Sequence, residues 1–415
     1  MACKVRVPDV GRYTEATVPL IPTHADHARA SDPSAPFPFD VFAAIRFWMA
    51  DEANADAPPD AINDHDQLVA AASVQHRLGV LDVPIVNAYL QLFREYLRAR
   101  CGVGVLRWIP NGKRCVVVLS HDADTPIDPA DPRHAAWRAG NCLRAGDIAQ
   151  AGRHAMSAAL RAARLLRFRR ERAWLFDELT GLEAGLGFRS TFFFCARSRS
   201  DPYGSPYDES YDIAAPRFRR LFDSLHRGGF EVGLHASYNA RDDIRLLAEE
   251  CESIERISGL RVLGNRHHYW HMKRPFWSTL DDHAAAGLVY DSSVAFDESP
   301  GYRLGFAFPC KLWNPLRQGR IEAIQVPTMV MDGAYFYHQG QTVDAVLEDF
   351  EKLLGNLKRF GGVAAINWHP RACLPLQGPF LEWGQAFTSI LEMLAADREV
   401  AVQSTAELLG IEQTA

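Results

Sequence analysis

The segment CVVVLSHDADTP, residues 115–126, decides the fold. It runs from apolar residues directly into polar ones, as a buried strand does when it ends at a functional edge. Alternate side chains of an extended segment point the same way, so Asp122 and Asp124 share one side. Two close carboxylates repel each other unless a cation lies beside them. The segment therefore predicts a strand that delivers a carboxylate pair to a cation, and an aspartate turn before Pro126 is the alternative.

Six further short runs of apolar or β-branched residues follow, and helical stretches separate them. This alternation is typical of repeated βα units with a parallel sheet. Seven strands in such units predict a (β/α) barrel. The six runs are STFFFC (190–195), FEVGLH (230–235), RVLGNR (261–266), LVYDSS (288–293), IEAIQVP (321–327) and VAAINWH (363–369).

Five of the seven runs end in side chains that are able to do chemistry. In a βα barrel the C-terminal ends of the strands open onto one face, so side chains from distant parts of the chain converge there. Singly, each has an ordinary alternative such as a turn former, a helix cap or an ion-pair partner. Their joint placement favours a single site. They are Asp122 and Asp124, His235, the group of Arg266, His267 and His268, Asp291, and His369.

An aspartate with neutral imidazoles is an ordinary zinc ligand set that leaves positions open for water and substrate. One aspartate of the pair would bind the ion, and the other would take a proton from the attacking water. We expect His235 to be the second ligand. For the third, the segment NRHHYWHM offers His268 first, because it lies two residues beyond Arg266 on the same side of an extended segment, and then His267 and His271.

The chain divides into an N-terminal accessory region, residues 1–110, and a barrel, residues 111–415. The accessory region is predicted to be mostly helical. A helical insertion is predicted at about 131–185, since this stretch is too long for a simple loop. It contains a basic run from Arg161 to Arg172, which we interpret as a solvated helix face. Peripheral contact with an anionic polymer or membrane surface is the alternative.

The composition is that of an ordinary globular protein, with 47% hydrophobic and 23% charged residues. A net charge of −6 gives no reason to expect a nucleic-acid partner. The eight cysteines form no CxxC pair, which favours reduced thiols over a disulfide scaffold. Without a signal-peptide pattern or a run of about 18 apolar residues, we expect a cytoplasmic protein with no transmembrane segment.

Six motifs, in the order in which they occur, carry a resemblance to a known family. SHDADTP, GLGFRSTFFF, GGFEVGLHASYNA, LGNRHHYW, GLVYDSS and AAINWHPR resemble the polysaccharide deacetylases of carbohydrate esterase family 4, the NodB-homology group. More narrowly, they are similar to a bacterial subgroup that writes the first motif as HDVD and carries an N-terminal extension. The resemblance covers roughly residues 111–410, and FDVFAAIRFWMADE with GVLDVPIVNAYLQLF is similar to that extension.

The resemblance implies a distorted (β/α)₇ barrel that removes N- or O-acetyl groups from sugars with one divalent ion, usually Zn²⁺. The substrate would be a sugar of a bacterial surface polysaccharide or of its precursor. The resemblance implies that Asp122 is the base, Asp124 the metal aspartate, His235 the first histidine of an HxxxH ligand pair, Arg266 the residue that orients the base, and His369 the general acid.

The sequence departs from the family pattern at Asn239, which stands four residues after His235, where the family has its second metal histidine. Either His268 supplies the third ligand, or Asn239 coordinates weakly, or the site has lost its metal. We further expect Asp291 to pair with His369 and raise its pKa. Two other functions stay open: hydrolysis of a non-peptide C–N bond in a small amide or ureide, and glycan binding by an inactive barrel.

Overall fold

The computed structural model describes residues 3–7, 16–20, 40–101, 109, 112–124, 136, 139–140, 142–144, 148–167, 175–209, 211–375 and 380–414. Its strands are β1 (Cys3–Val7), β2 (Ala16–Leu20), β3 (Cys115–Asp122), β4 (Thr191–Phe194), β5 (Glu231–Leu234), β6 (Gly264–Asn265), β7 (Tyr290–Asp291), β8 (Cys310–Asn314), β9 (Gly319–Gln325), β10 (Thr328–Met331), β11 (Gly362–Asn367) and β12 (Val400–Gln403). Its α-helices are α1 (Val41–Met49), α2 (Val74–Leu78), α3 (Ile85–Cys101), α4 (Ile148–Arg167), α5 (Phe176–Gly185), α6 (Pro216–Arg227), α7 (Ile244–Ser258), α8 (Trp277–Ala285), α9 (Val343–Phe360), α10 (Leu381–Ala396) and α11 (Thr405–Leu409).

The main sheet is a parallel series that curls into a distorted barrel. Strands β3, β4, β5, β6, β7 and β9 pair in that order, and β11 and then β10 continue the series beyond β3. Only Val326 and Pro327 separate β9 from β10. The hydrogen bonds continue through them, because the Val326 N–H donates to the Asp291 carbonyl at 2.8 Å and the Ala365 N–H donates to the Pro327 carbonyl at 2.7 Å. The interrupted strand joins both ends of the series, so the predicted (β/α)₇ class is confirmed.

Two strands lie outside this series. Strand β8 pairs antiparallel with β9, and β12 pairs with the first half of β3. In the accessory region β1 and β2 form an antiparallel pair, which the mostly helical prediction for residues 1–110 did not include. Short strands of this kind carry no helical periodicity and need only a partner to pair.

Strand β3 is buried along its whole length, as a parallel strand covered by helices should be. Val116 and Val118 face the barrel interior, where they pack with Phe193 and neighbouring strands. The ring of His121 faces the helices instead, and its Nε2 atom lies 2.7 Å from Glu183 of α5. Since side chains alternate, Asp122 turns to the interior with the valines. The predicted strand and its alternation are therefore present.

Helices α1 and α3 of the accessory region pack directly on the barrel. Trp48, Ile85 and Tyr89 lie in one hydrophobic cluster with the barrel residues Trp277 and Phe306. The insertion predicted at about 131–185 contains α4 and α5. The basic run starts in α4, and its side chains lie outside the described residues. None of the helices in the described part of the chain combines the length and the apolar character that a membrane span requires.

Candidate metal centre and hydrolytic site

Three buried side chains meet at the C-terminal ends of the strands. Asp124 lies two residues beyond β3, His235 directly follows β5, and His268 lies three residues beyond β6. One ligand atom from each lies within 4.8 Å of the other two. The Nε2 atoms of His235 and His268 are 3.1 Å and 3.9 Å from Oδ1 of Asp124. The predicted ligand set is therefore gathered in one place.

The chemistry of these donors fits a divalent cation. Nδ1 of His235 lies 2.6 Å from the Arg266 carbonyl, to which it can only donate, so Nε2 carries a lone pair whenever the ring is neutral. That lone pair faces Oδ1 of Asp124 without hydrogen-bond geometry, and Oδ1 has no donor among the described residues. Two acceptors at this distance require a cation or a proton between them. An Asp-His-His set of this kind could bind a metal.

The second oxygen of Asp124 has different partners. Its Oδ2 atom lies 3.0 Å from Nε2 of His369 and 3.0 Å from Nη1 of Arg371. Burial opposes ionisation of Asp124, yet His369 and His235 beside it hold the pKa of the carboxyl well below its usual range. Burial lowers the pKa of His235, and Asp122 and Asp124 raise it above the ordinary value. The Asp124 carboxylate is thus ionised at neutral pH.

The other aspartate, Asp122, is held by a buried ion pair. Nη1 of Arg266 donates to its Oδ1 atom at 3.0 Å, and the amide of Asn367 donates to Oδ2 at 2.6 Å. Arg266 is completely buried, and its Nη2 atom donates to the Ser120 hydroxyl at 2.8 Å. The guanidinium also lies over the ring of Phe193, 4.7 Å from the centroid. These contacts fix the position of the carboxylate.

His369 lies between two carboxylates, Asp124 and Asp332. Its Nδ1 atom is 2.7 Å from Oδ1 of Asp332, and its backbone N–H donates to Oδ2 of Asp332 at 2.9 Å. Burial and the charge of Arg371 lower the pKa of His369, but Asp332 and Asp124 outweigh them and raise it to about 10. The imidazole is therefore protonated in this arrangement.

The expected pair of Asp291 and His369 does not form, and this part of the prediction is corrected. Asp291 instead accepts from the hydroxyl of Ser293 at 2.7 Å, and its Oδ2 atom lies 3.1 Å from Nδ1 of His283. The reason is strand order: Asp291 ends β7, whereas His369 follows β11, whose neighbours are β10 and β3. Asp332 directly follows β10 and takes the expected place. The strand predicted from the sequence ends at position 327, and so the prediction did not identify Asp332 as a residue at a strand end.

The remaining ligand candidates lie elsewhere. His267 is fully buried and its ring stacks on that of His283 with 4.9 Å between centroids. Burial and that neighbouring ring hold the pKa of His267 well below its ordinary value. Nδ1 of His271 lies 2.9 Å from a backbone carbonyl oxygen. Asn239 is exposed and its amide donates to another backbone carbonyl at 3.0 Å. Of the four candidates for the third ligand, therefore, His268 is the one that lies beside Asp124.

Sequence reasoning missed two acidic residues of the loop between β4 and α6. Oδ1 of Asp208 lies 3.6 Å from Nδ1 of His268, and Oε1 of Glu209 lies 3.9 Å from its Nε2. Burial and the charge of Asp124 raise the pKa of Glu209 to about 7. Both residues belong to a long polar loop without strand or helix periodicity, so nothing in the pattern singles them out.

Comparison with protein-family models finds no match, and comparison with curated proteins finds none. Solved structures do match. One is assigned as a polysaccharide deacetylase from Mycobacterium smegmatis (17% identity, 75% of this chain, 97% of that chain, TM-score 0.46). Another is the Puue allantoinase (12%, 74%, 93%, TM-score 0.45), and a third is assigned as a polysaccharide deacetylase from Pseudomonas aeruginosa (13%, 74%, 94%, TM-score 0.45). At these values the similarities carry no argument about chemistry, which depends on the residues of this chain.

Proposed function

We propose that the protein is a metal-dependent hydrolase that removes acetyl groups from an acetylated sugar. The observation that carries this proposal is the buried set of Asp124, His235 and His268. Beside it lie Asp122, which is held in an ion pair, and His369, which lies between two carboxylates. The resemblance of the motifs to carbohydrate esterase family 4 supports an N-acetylated or O-acetylated sugar of a bacterial surface polysaccharide, or its precursor, as the substrate.

The three ligands would hold one divalent ion, for which Zn²⁺ is the expected identity. Such an ion would lower the pKa of the attacking water and polarise the acetyl carbonyl. Asp122 takes a proton from the attacking water as general base. Arg266 and Asn367 keep the two oxygens of this carboxylate in place, so that the base does not reorient during the reaction.

The proton for the leaving group comes from His369, which lies on the side of Asp124 that faces away from the two ligand histidines. His369 is protonated and held by Asp332, so it can donate to the departing amine or alcohol oxygen. Asp332 also fixes the ring orientation, because one of its oxygens bonds Nδ1 and the other the backbone N–H of the same residue. Acetate and a sugar with a free amine or hydroxyl are the products.

The experiment measures acetate release and bound metal together. The purified protein is stripped with a chelator, reloaded with Zn²⁺ and incubated with N-acetylglucosamine oligomers. We expect one ion per chain, loss of both metal and activity in Asp124→Ala, and retained metal with at least 100-fold lower kcat in Asp122→Asn. Asp223→Asn, at an exposed position on α6, is the matched control.

The same assay separates the alternatives. Allantoin with detection of ammonia reports hydrolysis of a ureide, and turnover of that compound without acetate release would replace the proposed substrate class. A metal-loaded protein that releases acetate at no measurable rate from acetylated sugars would contradict the proposal. Turnover that Asp122→Asn abolishes would exclude an inactive binding barrel.

A further inference from the structure

His268, the third predicted ligand, has less support from the sheet than the other two. Its strand β6 consists of two residues, and His268 lies three residues beyond that strand. The next two residues, Tyr269 and Trp270, have φ values of +56° and +48°, in the left-handed region that residues with a side chain rarely adopt. Such a conformation persists where surrounding contacts hold it. We call residues 267–272 the ligand segment, and its position depends on contacts from outside the sheet.

A loop of the accessory region, residues 62–68, supplies such contacts, and we call it the accessory loop. The side chain of Gln67 is buried and donates a hydrogen bond to the carbonyl of Tyr269. The ring of His65 lies against that of Tyr269, with 4.5 Å between centroids. The accessory region therefore holds the residue that directly follows His268 through both its backbone and its ring.

The accessory loop also reaches the end of the ligand segment, through an ion pair. The Asp66 carboxylate pairs with Arg241, and the guanidinium of Arg241 donates to the carbonyl of Met272 at 3.0 Å. The side chain of Arg241 is 18% exposed, so its charge depends on this partner more than a fully solvated arginine would. Asp66 thus keeps in place a cation that bonds the backbone of the ligand segment beyond His268.

The accessory loop has a fixed shape of its own. Oδ1 of Asn63 accepts hydrogen bonds from the backbone N–H groups of His65 and Gln67, each at 3.0 Å. At the end of the loop, Leu68 packs with Phe296 of the barrel in a small hydrophobic cluster. The loop therefore presents its amide donor and its carboxylate from a frame that does not depend on the ligand segment.

We infer that the accessory loop fixes the position of His268, and that Gln67 and Asp66 are positioning residues of the candidate metal centre. The inference rests on the proposed function and deepens it, because it makes the accessory region part of the metal site. Removing a residue that orients a ligand without binding the ion commonly weakens metal affinity by about 10-fold to 100-fold. Here that orientation acts through the backbone that carries the imidazole.

The first test measures Zn²⁺ affinity by competition with a chromophoric chelator. Gln67→Met removes the amide donor at nearly unchanged size, and we expect it to raise the Kd about tenfold. Asp66→Asn removes the ion pair and should raise the Kd by a smaller factor, because that pair is partly exposed. Asp66→Glu keeps the carboxylate and should keep the wild-type Kd. Asp64→Asn, at an exposed position of the same loop, is the matched control.

The second test follows backbone amide hydrogen exchange by mass spectrometry in the metal-free protein. We expect faster exchange in the ligand segment of Gln67→Met and of Asp66→Asn, and wild-type exchange in Asp64→Asn. Helix α3 of the accessory region should keep its wild-type exchange, which shows that the variants are folded. If Gln67→Met also loosens α3, then Asp66→Asn, whose substituted side chain is 43% exposed, decides the inference.

Wild-type Kd and wild-type exchange in both Gln67→Met and Asp66→Asn would overturn the inference. If the wild-type protein binds Zn²⁺ but releases no acetate from any acetylated sugar, the proposed function fails, and the Kd values still decide the inference. If the wild-type protein binds no Zn²⁺, the metal centre fails as well. Exchange in the metal-free variants then shows whether the accessory loop holds the ligand segment, and an unchanged rate there would refute it.

Discussion

The two oxygens of Asp124 face opposite partners, and this division organises the site. Oδ1 faces the two imidazoles of the predicted ligand set, and Oδ2 faces the cationic side chains of His369 and Arg371. In the proposed mechanism, a carboxylate shared in this way would be both a metal ligand and the connection to the proton donor. Any change in the charge around Oδ2 should therefore alter how strongly Oδ1 binds a cation.

Arg371 offers the clearest test of that coupling. Its guanidinium lies 3.0 Å from Asp124 and would repel a divalent cation bound at the other oxygen of this carboxylate. Two unit charges about 5 Å apart interact by about 3 kcal/mol at an effective dielectric constant of about 20, and solvent reduces this value. We expect Arg371→Met to tighten Zn²⁺ binding about tenfold, measured by competition with a chromophoric chelator.

Arg317→Met is the control, because Arg317 is paired with Asp281 on the outer surface of the barrel. Unchanged Zn²⁺ affinity in Arg371→Met would contradict the coupling. Weaker affinity would show instead that Arg371 positions Asp124 for the ion.

Single residues also show what the sequence can and cannot predict. Strand alternation and strand ends are local properties, so Asp122, Asp124, His235 and Arg266 could be placed on one face without coordinates. Asp332 could not, because Pro327 interrupts the pattern of the strand that precedes it. Glu209 lies in a loop, where side-chain direction follows no period.

Elements are held together by buried polar contacts as well as by apolar packing. Helix α7 is joined to the loop after β5 by Glu250, which accepts from the N–H of Ser237 at 2.9 Å and from its hydroxyl. Burial raises the pKa of Glu250 to about 7, although these hydrogen bonds and Arg197 lower it. The loop that follows His235 is thus attached to a helix through a group that titrates near neutrality.

This contact predicts a pH dependence of stability. The pKa of Glu250 is about 7 in the folded state and 4.5 in the unfolded chain, so the folded state holds the proton more tightly. The contribution of this group to the free energy of unfolding therefore falls by about 3 kcal/mol as the pH rises from 4.5 to about 7. In Glu250→Gln that loss should disappear. Urea unfolding at pH 5 and pH 8 measures it, with Glu252→Gln on the exposed side of α7 as control. An equal pH dependence in wild type and Glu250→Gln would refute the assignment.

At the scale of the whole molecule, the accessory region and the barrel share one hydrophobic cluster. Trp48 of α1 and Ile85 of α3 pack at Gly305, which has a φ of +67° and leaves no room for a Cβ atom, since Ile85 would lie 2.8 Å away. Helical periodicity predicts that α1 and α3 have apolar faces, but it does not show which surface those faces cover. The packing of α1 and α3 on the barrel therefore depends on the absence of a side chain at Gly305, which lies far from both helices in the sequence.

The shared cluster predicts that residues 40–101 and the barrel unfold together. Trp48 is 1% exposed, so Trp48→Ala should lower the free energy of unfolding by about 3–5 kcal/mol. Because the cluster also contains Phe306 and Trp277, far-UV circular dichroism and acetate release should be lost in a single shifted urea transition. Phe42→Ala, on the same helix but 67% exposed, is the control and should shift the midpoint little. If the variant instead shows a separate, small transition at low urea, while the barrel unfolds at its wild-type midpoint, the two parts fold independently.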